Sequence, residues 1–368
     1  MRVVLKLASW TFAAVFTFLA LLVWGMGGRL QSALIFAIAL ILVPPLRAQL
    51  QKRTKRAVPW WAYALAGLAL WGGVIASFAL NPARSIYKSP EYQRELLAIY
   101  DEKLGQWPVP HEIRYVDTRY GKIHVIASGP ADGFPVLLLN ASALAGWSWI
   151  HNVQALSERF RSYAIDNVGE GGKNELRRPG DVPKNEQEVA ALYAGICDAL
   201  KIDKASVIGA SVGGYLATSF ALYAPERVHK LVLLGPMGYG FTAKTIAAMT
   251  LAQGFPIEPV QRATFRWAFG DSPRVRDSFE RWFRLYMKGL VPTPVRPKTF
   301  SPESLSRLQA PTLAFFGTRD GVVGDAQAAA SLARNIPNAE IRLVESGHII
   351  GADLPEVVNP AITAFLAD

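Results

Sequence analysis

The chain has 368 residues, of which 51% are hydrophobic and 18% charged, with one cysteine and a formal net charge of +10. This composition excludes a disordered or collagen-like chain, and a single cysteine excludes a disulfide framework or a cysteine-ligated zinc site. Ten of the 39 Lys and Arg precede Glu91 and no Asp or Glu does, so the later 29 basic residues balance the 29 acidic ones and the whole surplus lies in the N-terminal quarter. Three uncharged runs fill that quarter: Leu7–Met26, Leu30–Leu46 and Val58–Leu80. The first and third are long enough to cross a hydrocarbon core as helices, and Trp60 and Trp61 open the third as interfacial tryptophans do. Other readings are a cleaved signal peptide for the first run and a buried core helix for the second. The first run ends in Trp24-Gly25-Met26-Gly27, a poor cleavage site. Three spans are expected over residues 1–80, with two spans and an interfacial segment as the alternative. The loop between the second and third runs carries Arg47, Lys52, Arg53, Lys55 and Arg56. The positive-inside rule puts it and the N-terminus in the cytoplasm, and the rest of the chain on the other side. As a nucleic-acid patch that loop is unconvincing, being short and without interleaved aromatic residues.

Asn81–Ser89 reads as a linker, followed by an amphipathic helix over Glu91–Leu104, so residues 81–110 connect the membrane region to a third part, 111–368. There the pattern changes. His111–Thr118 and Lys122–Ser128 read as a hairpin turning at Tyr120-Gly121. Apolar runs at Val136–Asn140, Ser162–Asp166, Ala205–Ile208, Lys230–Leu234, Thr312–Phe316 and Glu340–Val344 read as buried strands. Helical stretches at Trp149–Glu158, Asn185–Leu200, Val212–Tyr223 and Ala326–Ile336 separate most of them. This predicts an α/β fold, a mostly parallel sheet with helices on both faces and ligands at the carboxyl ends of its strands. Between about Gly235 and Ser304 lies an insertion with Phe241, Phe255, Phe265, Phe279, Trp282, Phe283 and Tyr286 among its aromatic residues, expected to be a helical lid.

One motif carries chemistry. Gly209-Ala210-Ser211-Val212-Gly213 falls between a predicted strand and a predicted helix. In that context the two glycines relieve a turn too tight for side chains and leave a serine hydroxyl above the sheet. A serine needs a base, and the base needs an orienting group. There are five histidines. His111 and His124 lie at the hairpin, His151 in an early helix, and His229 at the wrong end of a strand. His348 follows the last strand's carboxyl end. Asp320 follows the preceding strand, with Asp325 as a nearby competitor. The order Ser211, Asp320, His348 is that of one of the known serine-hydrolase triads.

From His111 onward the chain resembles the α/β-hydrolase superfamily, through the Ser211 elbow, Asp320, His348, Pro225-Glu226-Arg227-Val228 before a strand and Pro311 at the entry to another. The resemblance implies a lidded esterase-like serine hydrolase acting on a small-molecule ester and needing no metal or organic cofactor; the short linker to the membrane region and the apolar insertion point to a lipophilic ester, and no nucleic-acid partner is expected. It places the oxyanion donors at the backbone N–H groups of Ser142 and Val212. Many relatives have His-Gly where this chain has Asn140-Ala141, so Ala141 must keep a negative φ. Asp166–Lys173 departs from the family pattern too and reads as a structural loop. An acyltransferase with the same triad, and a non-catalytic membrane module, are the rival readings.

Overall fold

The structure, a computed structural model, describes residues 85–368 except 241–242, 255–256 and 292–294, and before them only Thr17, Ala20 and Ile35. Apart from those three residues the apolar runs, with Phe241 and Phe255, therefore lie outside the described residues, among which no helix is long and apolar enough to cross a membrane. By its contacts the chain divides into two units, Met1–Arg84 with Met249–Val260, and Ser85–Ala248 with Gln261–Asp368. The second unit carries the chemistry.

Its first element is helix α1, Pro90–Gly105, capped by Ser89, whose side chain accepts from the Tyr92 N–H. Strands β1 (His111–Thr118) and β2 (Gly121–Ser128) form the antiparallel hairpin. Then come β3 (Phe134–Leu139), β4 (Phe160–Ile165), the two-residue β5 (Glu175–Leu176), α2 (Glu186–Leu200), β6 (Ala205–Ala210), α3 (Val212–Tyr223) and β7 (Val228–Leu234). The insertion supplies α4 (Ala243–Gly254), α5 (Glu258–Phe269) and α6 (Pro273–Gly289). The chain closes with β8 (Thr312–Gly317), α7 (Ala326–Ala333), β9 (Ala339–Val344) and α8 (Pro355–Ala367). The strand order is β1-β2-β4-β3-β6-β7-β8-β9, with β5 paired to β2. Pairings from β4 across to β9 are parallel. Central strands are apolar along their length because both faces are covered; every residue of β8, for example, is buried.

The expected Trp149–Glu158 helix is instead a 3₁₀ segment, Gly146–His151, followed by a short helix, Val153–Ser157. The Asp166 carboxylate accepts from the Gly146 N–H at 2.7 Å and ties that segment to the end of β4. The end of the expected linker is also engaged. Lys88 N–H donates to Gly289 O at 2.8 Å and Val291 N–H to Ile86 O at 2.8 Å, so Ile86–Lys88 pairs with the chain just past α6. Tyr100 of α1 is buried, its hydroxyl 3.0 Å from Asp166 Oδ1 and 3.1 Å from His124 Nδ1. The amphipathic helix is thus built into the hydrolase body.

Candidate active site

The elbow follows from what its glycines touch. A Cβ on Gly209 would lie 2.3 Å from Gly213 O, and one on Gly213 would lie 2.0 Å from Leu139 O. Only hydrogen fits at either position, which brings β6, α3 and the end of β3 together. Ser211 between them is forced to φ 53° and ψ −119°, outside the ordinary allowed regions. The strain is held by backbone bonds on both sides. Ser211 N–H donates to Leu234 O at 3.0 Å, and Ser211 O accepts from the Gly214 and Met237 N–H groups at 2.9 Å each. Such strain is stored where surrounding structure over-determines it.

The structure brings Ser211, His348 and Asp320 into one hydrogen-bonded chain. His348 Nε2 is 2.7 Å from Ser211 Oγ, and His348 Nδ1 is 2.7 Å from Asp320 Oδ2. Asp320's other oxygen, Oδ1, accepts from the N–H groups of Val322 and Val323 at 2.8 and 3.0 Å. Its carboxylate is thereby fixed in rotation, with one oxygen left for the imidazole. Asp325, the competitor, caps α7 by accepting from Gln327 and Ala328 N–H. Ser211, His348 and Asp320 are 4%, 3% and 5% exposed. The insertion closes over them: Trp267 packs against Gly321, and the Phe269–Gly270 backbone against Gly347.

The other histidines lie elsewhere. His111 is exposed on β1. His151 is 2.8 Å from Ser278 Oγ, and burial, with Arg274 and Lys103 nearby, lowers its pKa. His229 packs on Phe134, and its pKa is lowered by burial and by Lys230 and Lys204. His124 is buried with Tyr100 and Asp166. Among the described residues no group of three or more His, Cys, Asp or Glu is placed to hold a metal ion.

The turn after β3 holds Ser142. Ala141 does not take a positive φ; the left-handed residue is Ala143, at φ 59°. Asn140, in the place of the frequent histidine, bridges the turn, its amide donating to Ala141 O at 2.9 Å and Leu144 O at 3.0 Å. Val212 is the first residue of α3, so its N–H has no acceptor within the helix. Glu170 was missed by the sequence reading as anything beyond part of a loop. It is buried beside this turn, and burial raises its pKa against the opposing effect of three donors: Ser142 Oγ–H, Tyr286 Oη–H and Ala143 N–H. Its only sequence signal was a lone acid among glycines, a pattern equally suited to an exposed turn.

These features define an α/β-hydrolase fold with an esterase-like domain, and residues 135–255 match the α/β-hydrolase fold family model. Two similar proteins are named as carboxylesterases. The chain is 29% identical over 280 residues to the carboxylesterase YbfK of Bacillus subtilis (strain 168), covering 73% of this chain and 92% of that one. It is 28% identical over 279 residues to the uncharacterized carboxylesterase nap of the same organism, covering 72% and 90%. The crystal structure of YbfK superimposes with a TM-score of 0.67 over 75% of this chain and 98% of that one. That of naproxen esterase from B. subtilis gives 0.69 at 26% identity, over 76% and 99%. The domain is accordingly an esterase-type hydrolase.

Proposed function

We propose that the protein is a membrane-anchored serine hydrolase that cleaves a carboxylic ester through an acyl-enzyme. The observation that carries this reading is the unbroken chain from Ser211 Oγ through His348 to Asp320. Ser211 attacks the acyl carbonyl while His348 Nε2 takes its proton and then delivers it to the leaving alcohol. Asp320 holds the imidazole in the tautomer that leaves Nε2 free to accept, and stabilises the cation that forms. The N–H groups of Ser142 and Val212 receive the oxyanion, aided by the positive end of α3. Water then attacks the acyl-enzyme, with His348 again as base. The relatives named as carboxylesterases support the ester as the substrate class.

The anchor is read from the three apolar runs and the basic loop between the second and third. With three spans the catalytic domain lies outside the cytoplasm, held at the bilayer surface where lipophilic esters concentrate. Two experiments test the two halves. A fluorophosphonate should label the full chain at Ser211, and the Ser211→Ala variant should take up no label and lose ester hydrolysis. A labelled protein that moves the acyl group to an added alcohol in preference to water would be an acyltransferase instead. For topology, a reporter active only outside the cytoplasm should work when fused after Lys88 and fail within Arg47–Arg56; the reverse pattern would put the catalytic domain inside.

A further inference from the structure

The buried acid of the Asp166–Lys173 loop has no role in the chain of proton transfers, yet it touches the turn that carries an oxyanion donor. Glu170 is 2% exposed. Its Oε1 accepts from Ser142 Oγ–H at 2.5 Å; its Oε2 accepts from Ala143 N–H at 3.3 Å and from Tyr286 Oη–H. Ala143 is the one residue of this turn in the left-handed region, a conformation that costs a non-glycine residue about 1–2 kcal/mol and must be held from outside. Its other peptide face is held as well, because Trp282 Nε1–H donates to Ala143 O at 2.9 Å. Trp282 and Tyr286 stand one helical turn apart on α6, so one face of the lid helix and one buried carboxyl group grip the same two residues.

We propose that Glu170 is a positioning residue for the oxyanion hole: it fixes Ser142 and Ala143 so that the Ser142 N–H meets the developing oxyanion, and through Tyr286 it makes that geometry depend on α6 being closed. The proposal rests on the serine-hydrolase reading above and deepens it. Where relatives build this turn from His-Gly, this chain builds it from Asn140-Ala141 and gains its rigidity from a carboxyl group thirty residues away. A donor displaced by about 1 Å can lose a hundredfold in rate while leaving ground-state binding untouched, because the oxyanion exists only in the transition state.

The full-length protein tests this with two variants, Glu170→Gln and Ser142→Ala. Gln keeps the volume but removes the charge, and its N–H₂ can be met only if the Ser142 or Tyr286 hydroxyl turns round to accept, which loosens the tether. Ala removes the tethered hydroxyl and keeps the backbone N–H. With p-nitrophenyl butyrate, both should lower kcat by about tenfold to a hundredfold with KM within about twofold. Rates are taken per active site, counted by complete phosphonylation of Ser211. The affinity for butylboronic acid, whose tetrahedral adduct places an oxygen in the hole, should fall by the same factor as kcat/KM. A role confined to stability would lower the melting temperature or the number of titratable sites, and leave kcat per site and boronate affinity alone; that outcome overturns the proposal. A rise in KM at constant kcat overturns it as well, by making Glu170 a substrate-binding group. If Glu170→Gln fails to fold, Ser142→Ala decides alone by the same criteria. Wild-type protein that takes up no phosphonate at Ser211 would refute the hydrolase mechanism and this proposal together, whereas a labelled protein with unchanged variants would refute only the role of Glu170.

Discussion

Two turns meet at the candidate site, and they are rigid for opposite reasons. The turn at Ser211 is closed by backbone alone: Gly209 and Gly213 allow backbones to approach to distances at which a Cβ would overlap carbonyl oxygens, and the strained φ of 53° is locked by backbone bonds with Leu234 and Met237. The turn at Ser142 has no glycine between Asn140 and Ala145. Its left-handed residue is an alanine, and it is held by side chains from two distant segments: Glu170 and Asn167 of the loop after β4, the Asn167 amide donating to Asn140 O at 2.7 Å, and Trp282 of α6. Under the proposed mechanism the nucleophile must be in place whenever substrate arrives, and a turn fixed by backbone suits it. Under the same mechanism the oxyanion donor is needed only as charge develops, and a turn gripped by side chains of α6 and the loop after β4 ties it to the packing of both.

The largest effects should come from the first turn and its partners. Ser211→Ala and His348→Ala should each reduce ester hydrolysis by a factor on the order of 10⁵. The double variant should be little worse than either, since the pair acts as a unit. Steady-state rates on purified folded protein check this, and substantial activity in Ser211→Ala would sink the mechanism. Asp320→Asn should cost about a thousandfold or more by removing the acceptor for His348 Nδ1–H. Asp325→Asn should leave kcat near wild type, because Asp325 only caps α7. Reversal of those two results would assign the acid to Asp325.

Opposite substitutions in the two turns sharpen the comparison. Gly213→Ala would drive a methyl group to within 2.0 Å of Leu139 O and 2.8 Å of Asn140 O, so backbone must move. A stability loss of about 2–3 kcal/mol is expected, together with loss of activity. Ala143→Gly should do the reverse. It relieves the left-handed strain at the cost of a more flexible unfolded chain, and the two effects nearly cancel, leaving stability within about 1 kcal/mol of wild type. Thermal denaturation of both variants measures the contrast. If Ala143→Gly proved as damaging as Gly213→Ala, the second turn would depend on its local sequence after all.

The same contrast explains what could be read from the sequence. Ser211, Asp320 and His348 were legible because each is fixed by position relative to a strand end, and strand ends follow from apolar runs such as Lys230–Leu234, observed as Val228–Leu234. The Val212–Tyr223 helix was legible because its start is the elbow itself. Glu170 was not, since nothing local distinguishes a buried acid from a solvated one; its burial depends on Ser142 and Tyr286 arriving from 28 residues before it and 116 after it. The Tyr100–His124–Asp166 cluster was hidden for the same reason. Its members come from α1, β2 and the end of β4, and only the fold places α1 against the sheet. Of the aromatic residues in the insertion, Phe265, Phe269 and Phe283 pack on one another, and Trp282 and Phe279 on Trp147.

The smallest expected effect concerns pH, and it isolates the second turn from the first. Burial raises the pKa of Glu170 above the ordinary carboxylate value, while in the unfolded chain the group titrates normally. Between those two values the folded protein holds a proton that the unfolded chain has released. Stability therefore falls as pH rises through that interval, the sign opposite to that of a salt-bridged carboxylate. The contribution is fully present below the unfolded value and lost once pH passes the folded one. Glu170→Gln, which cannot titrate, should lack this descent. Its melting temperature relative to wild type should be least favourable at acid pH and improve as pH rises through the interval. Ser211→Ala, which leaves Glu170 and its three donors in place, should keep the wild-type slope. Parallel melting curves of wild type and Glu170→Gln would mean that the carboxyl group stays ionised in the folded state, with Ser142, Ala143 and Tyr286 outweighing its desolvation.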